Sequence, residues 1–452
     1  MNYSTRINYI CITVAIGGLL FGFDTAVISG AVGLVKIQFS LNTVEEGWMV
    51  SSGLLGCIIG VFATGMLSNR LGRKKTIIIS AVMFFISGLG CAFSYSFSAL
   101  AIARLVGGMG VGMASVIAPM YISEFAPADK RGRMVAYYQL AITVGILLAY
   151  FSNAFIISFT KEHHAGILFS EPWRLMFLVM CLPSLIFLCL LAGVPESPRW
   201  LVLVNQITKA SHILKTVRPL KMAEEELQNI EAAGIRGKKQ TTSLLHPAFR
   251  IPLLTGIVLA VLQQFSGINA IIYYGPGIFQ SAGIDSRNAL LFQVIIGSVN
   301  LLFTIVAILY ADKYGRKILL KTGLTGIVVS LVLCGALFYT HHTNGILLLI
   351  LMLIYIACFA FSLGPITWII INEIFPSHIR VKAVSLCTLV LWIAVWLVGQ
   401  FFPWMLEKVG PAITFWIFAG FSLINLIFCL TIVKETKGKT LEEMDIFFVS
   451  PH

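Results

Sequence analysis

Residues 346–371 read ILLLILMLIYIACFAFSLGPITWIII, a stretch without one charged side chain. A helix that crosses a bilayer needs about 20 consecutive apolar residues. Hydrocarbon offers no partner to an unpaired backbone N–H or C=O, so a crossing chain must be helical or close into a barrel. Barrel strands are about ten residues long and alternate in polarity. Neither this stretch nor the uncharged run 251–272 alternates, so both select helices.

The rest of the chain follows the same pattern. Of its 452 residues, 58% are hydrophobic and 12% charged, and the mean hydropathy is +0.90. That is more apolar surface than one soluble core buries, so the solvent has to be lipid. Spans are expected near 8–30, 47–68, 76–94, 99–120, 134–157 and 173–193, then near 251–279, 288–311, 318–339, 346–371, 382–408 and 411–433. The fold class is an all-α membrane protein with 12 transmembrane helices. Its expected parts are an N-terminal six-helix unit over 1–195, a polar linker over 196–250 with short surface helices, a C-terminal unit over 251–433 and a tail over 434–452.

A net charge of +12 would suit a nucleic-acid partner only if it formed a basic face on a soluble domain. The charges are instead parcelled into alternate loops: Arg70 to Lys75, Lys130 to Arg133, Arg199 to Arg250, Lys313 to Lys321, Arg380 with Lys382, and the tail after Lys434. The positive-inside rule makes these loops and both termini cytoplasmic. A lipid bilayer, and no nucleic acid, is the expected partner. The nine cysteines all lie in apolar runs with no CxxC pair and read as filler. No small-residue cleavage site follows the first apolar stretch, which is expected to be a retained helix rather than a signal peptide.

The two sets of six spans repeat. Leu71-Gly72-Arg73-Lys74 after the second is answered by Tyr314-Gly315-Arg316-Lys317 after the eighth. Glu124-Phe125-Ala126-Pro127, with Arg131 beyond it, is answered by Glu373-Ile374-Phe375-Pro376 with Arg380 at the same offset. Glu196 and Glu435 follow the sixth and twelfth spans. Three ordered matches indicate an internal duplication, the architecture that permits rocking about a central site.

These motifs, with Arg131-Gly132-Arg133, Pro195-Glu196-Ser197-Pro198-Arg199-Trp200-Leu201 and Gln263-Gln264-Phe265-Ser266-Gly267-Ile268-Asn269, carry a resemblance. Over essentially its whole length the chain resembles the sugar porter family of the major facilitator superfamily, and within it the branch of bacterial xylose–proton symporters. The resemblance implies two pseudo-symmetric six-helix bundles, the major facilitator fold. It implies a secondary transporter that imports a monosaccharide with protons by alternating access. No cofactor is expected beyond the proton as coupling ion, and the implied working unit is a monomer in the bacterial inner membrane.

Within the first span, Gly22-Phe23-Asp24-Thr25-Ala26 places a carboxylate in an apolar helix, at a cost of roughly 2.5–3.5 kcal/mol on insertion scales. Asp24 and Arg104 each lie about 16 residues from the basic ends of spans 1 and 4, or about 24 Å deep. They are level, so they are expected to pair when Asp24 is deprotonated and to part on protonation. The resemblance implies the same proton-coupling roles.

Sugar hydroxyls call for neutral donors and acceptors beside an aromatic platform. Gln263, Gln264 and Asn269 sit in an otherwise apolar stretch of span 7, and Asn300 lies near the middle of span 8. Consecutive residues point about 100° apart on a helix, so Gln263 and Gln264 both face one cavity only if span 7 borders it broadly or breaks, which Gly267 permits. By resemblance, Gln139, Gln263, Gln264, Asn269, Asn300, Trp368 and Trp392 match the family's sugar-contacting positions. The expected span 5 leaves Gln139 only about five residues deep, shallower than a central site. Ile146 and Leu391 stand where the xylose branch has amides, which leaves a more apolar wall.

Tyr273 and Tyr274 at the outer end of span 7, and Gly364-Pro365 in span 10, are the expected gates. Arg73, Glu124, Arg131, Glu196, Arg316, Glu373, Arg380 and Glu435 are expected to form salt bridges across the halves that hold the inner side shut and break when it opens. With Asn69 in place of the acid that Asp312 keeps, the first half's bridge should be the weaker. His163, His164, His341 and His342 have no ligand spacing, so no metal is expected. No phosphate-binding fingerprint appears, which argues against ATP-driven transport. A facilitative uniporter of the same fold, with Asp24 merely structural, is the first alternative; a sensor that does not transport, or a membrane enzyme, fits less well.

Overall fold

The structure is a computed structural model that describes residues 3–127, 130–162, 170–237, 244, 246–340, 345–375, 379–433 and 435. His163, His164, His341, His342, Pro376 and the tail from 436 lie outside the described residues. Among the described residues, twelve helices are long and apolar enough to cross a membrane. They run Tyr3–Gln38, Thr43–Leu71, Arg73–Ala92, Phe97–Phe125, Arg131–Thr160 and Pro172–Ala192, then Arg250–Ser281, Ser286–Tyr310, Arg316–Tyr339, Gly345–Glu373, Lys382–Lys408 and Pro411–Thr431. They are numbered here as spans 1 to 12. No strand occurs among the described residues.

Local chemistry sets the ends. Asn42 caps span 2 by accepting from the N–H groups of Val44 and Glu45, while Glu45 reaches back to the Asn42 N–H, a reciprocal capping box. Asp285 caps span 8 in the same acceptor role. Span 1 is 36 residues long, well beyond the expected 8–30, because a helix continues through a polar turn until something stops it.

Three spans are interrupted. Span 6 breaks at Met180 and span 10 at Ser362, and in both the second segment carries proline as its third residue, Pro183 and Pro365. The first N–H groups of a helical segment have no intrahelical acceptor, so proline is tolerated there and the break falls before it. Span 7 breaks at Phe265–Gly267, where Gly267 adopts φ 89°. A side chain at Gly267 would be strained in that conformation and would meet the Phe418 ring at 2.6 Å.

In the first half, spans 1 and 5 and spans 2 and 4 pack together; in the second, spans 9 and 12 and spans 7 and 11 do. Spans 2 and 4 touch backbone to backbone, since a Cβ on Gly56 would fall 2.1 Å from the Leu105 oxygen and one on Gly112 2.1 Å from the Cys57 oxygen. Between the halves, helices Pro198–Leu203, Ile207–Val217 and Leu220–Gly237 lie against the first half's basic end. There the Arg218 guanidinium donates to the Phe125 carbonyl at 2.8 Å and pairs with Glu226 at 3.0 Å.

Candidate functional site

Arg104 Nη1 donates to Asp24 Oδ1 at 2.9 Å, with the two residues only 3% and 4% exposed. The guanidinium lies 5.8 Å from the Phe177 ring centroid, and Arg104 Nε has no hydrogen-bond partner among the described residues. Gly53 makes the space, because a Cβ there would lie 2.9 Å from an Arg104 terminal nitrogen. A buried ion pair recovers its desolvation only with further hydrogen bonds. Here the Arg104 Nε–H has none among the described residues, so losing a partner alters the pair's balance sharply.

Beside the pair lies a void of about 10 Å³, room for about one water. Asp24, Gly53, Cys57 and Arg104 line one side, and Tyr273 and Trp392 of the second half line the other. The Trp392 ring packs on Phe21 at 5.6 Å between centroids, joining span 11 to span 1. The charge pair and a proposed sugar-contacting aromatic thus share one cavity.

The amides of span 7 form a chain. Asn269 Nδ2 donates to Gln264 Oε1 at 2.6 Å, Gln264 Nε2 to Gln263 Oε1 at 3.3 Å, and Gln263 Nε2 to the Leu363 carbonyl at 2.7 Å. The break at Gly267 brings Asn269 back over Gln264, while the Tyr355 hydroxyl donates to the Ser266 carbonyl at 3.0 Å and ties the break to span 10. Two of the three interrupted spans, 7 and 10, therefore meet at one set of neutral donors and acceptors. Asn300 is 9% exposed, Trp368 and Gln139 are half-buried. Span 5 begins at Arg131, which sets Gln139 deeper than the expected boundary did. Ile146 and Leu391 are buried, each 5% exposed.

Tyr274 donates to the Gly399 carbonyl at 2.8 Å within the second half. Tyr273 is buried against the void. Gly364 and Pro365 sit in the first turn of the second segment of span 10, just after the break at Ser362.

At the basic end the charged residues pair within each half. Arg73 pairs with Glu124 at 3.1 Å inside the first half, and Arg316 with Glu373 at 3.1 Å inside the second. Glu196 accepts from the backbone N–H groups of Arg73 and Lys74 at 2.9 and 3.1 Å, and Glu435 accepts from those of Arg316 and Lys317 at 3.0 Å each. Each carboxylate thus binds the positive N-terminus of spans 3 and 9. Even Lys74 and Lys317 match, donating to the carbonyls of Ala192 and Leu430. The first half's bridge was expected to be the weaker, yet it is the more buried, with side chains 8% and 7% exposed against 11% and 28%. Arg131 is exposed, and Arg380 Nε donates to the Phe375 carbonyl.

Bonds that join the halves lie at the opposite end. Ser51 donates to Gln400 Oε1 at 2.5 Å, Gln400 Nε2 donates to the Val44 carbonyl at 3.1 Å, and Thr43 bonds Glu407. The buried Tyr150 hydroxyl of span 5 donates to the Ile272 carbonyl of span 7 at 3.1 Å. Three residues on, Asn153 Nδ2 donates to the Val27 carbonyl of span 1. The sequence reading missed Phe21, Tyr150, Asn153 and Gln400. Asn153 and Gln400 were findable as amides in apolar spans, whereas Phe21 and Tyr150 carry no signal against so aromatic a background.

Comparison with known proteins accords with this architecture. A family model described as sugar (and other) transporter matches residues 10–448. The arabinose–proton symporter of Bacillus subtilis is 41% identical over 435 residues, covering 96% of this chain and 93% of that one. The D-xylose–proton symporter of Escherichia coli K12 is 39% identical over 474 residues, covering 98% and 96%. A solved structure of the E. coli xylose transporter in a partially occluded, inward-open conformation superposes with a TM-score of 0.86 at 37% identity, over 96% of this chain and 100% of that one. On this match and on its twelve-span duplicated fold, the chain belongs to the sugar transporter family of the major facilitator superfamily.

Proposed function

We propose that the protein imports a monosaccharide in symport with protons across the bacterial plasma membrane, with the basic end and both termini cytoplasmic. The observation that carries this reading is the shared cavity: the Asp24–Arg104 pair and Trp392 with Tyr273 border one void at the junction of the halves. A carboxylate whose protonation cancels an ion pair beside the sugar's platform gives one group a direct influence on the other.

The cycle follows from the contacts. The inward-facing, deprotonated carrier has its far end closed by Gln400, Glu407 and Tyr150 and Asp24 paired to Arg104, contacts that support this assignment. Protonation of Asp24 from outside removes the carboxylate charge and releases Arg104. The sugar is held by Gln139, Gln263, Gln264, Asn269, Asn300, Trp368 and Trp392, and its binding replaces the internal amide chain with amide–hydroxyl bonds. Tyr273 and Tyr274 gate the outer passage, and the bend at Gly364-Pro365 gates the inner one. On the basic side, Arg73–Glu124 and Arg316–Glu373 rigidify each half as a body that rocks. The carrier works as a monomer and needs no cofactor beyond the proton.

The buried Ile146 and Leu391 favour a substrate with fewer or differently placed hydroxyls than xylose. The test is uptake into lightly buffered proteoliposomes of arabinose, xylose, glucose and polyols, with external pH recorded. Sugar-driven alkalinisation outside is expected for at least one of them. Uptake of a sugar with no proton movement would leave a uniporter instead.

A further inference from the structure

The two halves pack their second and fourth helices differently. Spans 2 and 4 meet through glycines, whereas span 8 has no glycine in its basic-end half, and Phe303 of span 8 faces Phe361 of span 10 with ring centroids 6.4 Å apart. Beside them lies a crevice of about 290 Å³ bounded by Val306, Ala307 and Tyr310 of span 8, Tyr314 at the end of the same helix, Leu319 of span 9 and Phe361 of span 10. Its lining side chains are apolar or aromatic. Tyr310 and Tyr314 are 41% and 50% exposed, so it opens on the outer surface of the bundle rather than toward the central site.

Its mouth is charged. Lys313 holds its ammonium 5.9 Å from the Tyr310 ring centroid and 5.7 Å from that of Tyr314, so the cation is seated over two rings that also line the crevice. The surrounding segment carries Lys313, Arg316, Lys317 and Lys321 against one acid, Asp312. Tyrosines at a bilayer boundary sit at headgroup level. An apolar slot beneath a seated cation, at that level and under a basic loop, is complementary to an acyl chain beneath an anionic headgroup.

We propose that this crevice binds an anionic phospholipid from the leaflet at the basic end. One acyl chain lies between spans 8 and 10, and the phosphate rests against Lys313. Phe361 immediately precedes the break at Ser362, so the chain wedges the side of span 10 where it bends and supports the bent conformation. The proposal is independent of which sugar is carried, and of whether protons are.

The test is native mass spectrometry of the full chain in detergent, titrated with phosphatidylglycerol or with phosphatidylcholine of the same acyl chains. The wild type is expected to retain phosphatidylglycerol about fivefold more, the ratio for one basic residue near an anionic surface. Lys313→Gln should erase that preference and Lys313→Arg should keep it. Ala307→Trp, which fills the slot, should lower retention of both lipids; Val306→Phe serves the same purpose should Ala307→Trp lose its thermal transition. Equal retention of the two lipids by the wild type, or a preference that survives both Lys313→Gln and a folded slot-filling variant, overturns the proposal.

Discussion

Span 1 and span 7 are repeats of one ancestral helix, yet one runs unbroken for 36 residues while the other breaks at Gly267. Spans 4 and 10 differ likewise: Phe97–Phe125 is continuous, and Gly345–Glu373 is interrupted at Ser362. The unbroken pair carries Asp24 and Arg104, and the broken pair carries the amides. A charge pair buried inside the bundle needs a rigid mount, because a small shift leaves an uncompensated charge. Sugar recognition needs several donors converging from one helix, and helical periodicity prevents that until the helix breaks. The duplication has therefore kept its basic end almost bond for bond, Glu196 with Glu435 and Lys74 with Lys317, and diverged at the centre, where the two halves have separate tasks.

The strongest way to break this comparison is to remove the charge from the rigid half alone. Asp24→Asn keeps the shape and abolishes the ionisable group, so concentrative uptake should fall to equal sugar concentrations inside and out. Exchange of labelled for unlabelled sugar, which needs no proton, should persist. Accumulation by Asp24→Asn against a gradient would return Asp24 to a structural role. Next in size is Arg104→Leu, which strands a buried carboxylate and should destabilise the protein by about 3–5 kcal/mol, read as a lowered thermal transition in detergent. Adding Asp24→Asn to Arg104→Leu should recover most of that loss, because the stranded charge is then gone.

How the halves differ was only partly legible in the sequence. The twelve spans and the duplication were plain, since lipid imposes them through length and apolarity. The break in span 7 was signalled by Gly267. The bend in span 10 was read at Gly364-Pro365 but falls at Ser362, because proline fits the first turn after a break better than the break itself. The depth argument brought Asp24 to Arg104, and the two are in contact at 2.9 Å. At the basic end the pairs lie within each half, Arg73 with Glu124 and Arg316 with Glu373, as suits a far end that is closed, and Glu196 and Glu435 bind backbone amides, which a list of charges does not reveal. The glycines before Arg73 and Arg316, which leave helix N-termini open to a carboxylate, were the overlooked clue. The bonds at the far end had no sequence signature, since Tyr150 reaches a main-chain carbonyl that any residue could supply.

A glycine pair sharpens the contrast at smaller cost. Gly267→Ala forces a Cβ into a positive-φ site against Phe418 and should destabilise by about 1–3 kcal/mol. In unbroken span 1, Gly33 has nothing within 4 Å of where a Cβ would stand, and Gly33→Ala should stabilise by about 0.4–1 kcal/mol. Thermal melts of the two variants should move in opposite directions. Loss of stability in Gly33→Ala comparable with that in Gly267→Ala would mean that span 1 also needs freedom to bend.

The smallest effect concerns the contact between halves nearest the site. Tyr150 is 1% exposed, and its hydroxyl bonds the Ile272 carbonyl one residue before Tyr273. Any opening of the far end that carries span 7 away from span 5 has to break this bond. Tyr150→Phe keeps the ring and removes the hydroxyl, which costs the closed state about 0.5–1.5 kcal/mol and the open state nothing. The ratio of closed to open carriers should fall by a factor of about 2 to 12, since about 1.4 kcal/mol is tenfold. Spin labels at positions 37 and 408, on opposite halves at the far end, should report a larger long-distance fraction in Tyr150→Phe than in the parent. An unchanged distribution would mean that Gln400 and Glu407 carry the closure alone, and that the span 5 contact follows the motion rather than restraining it.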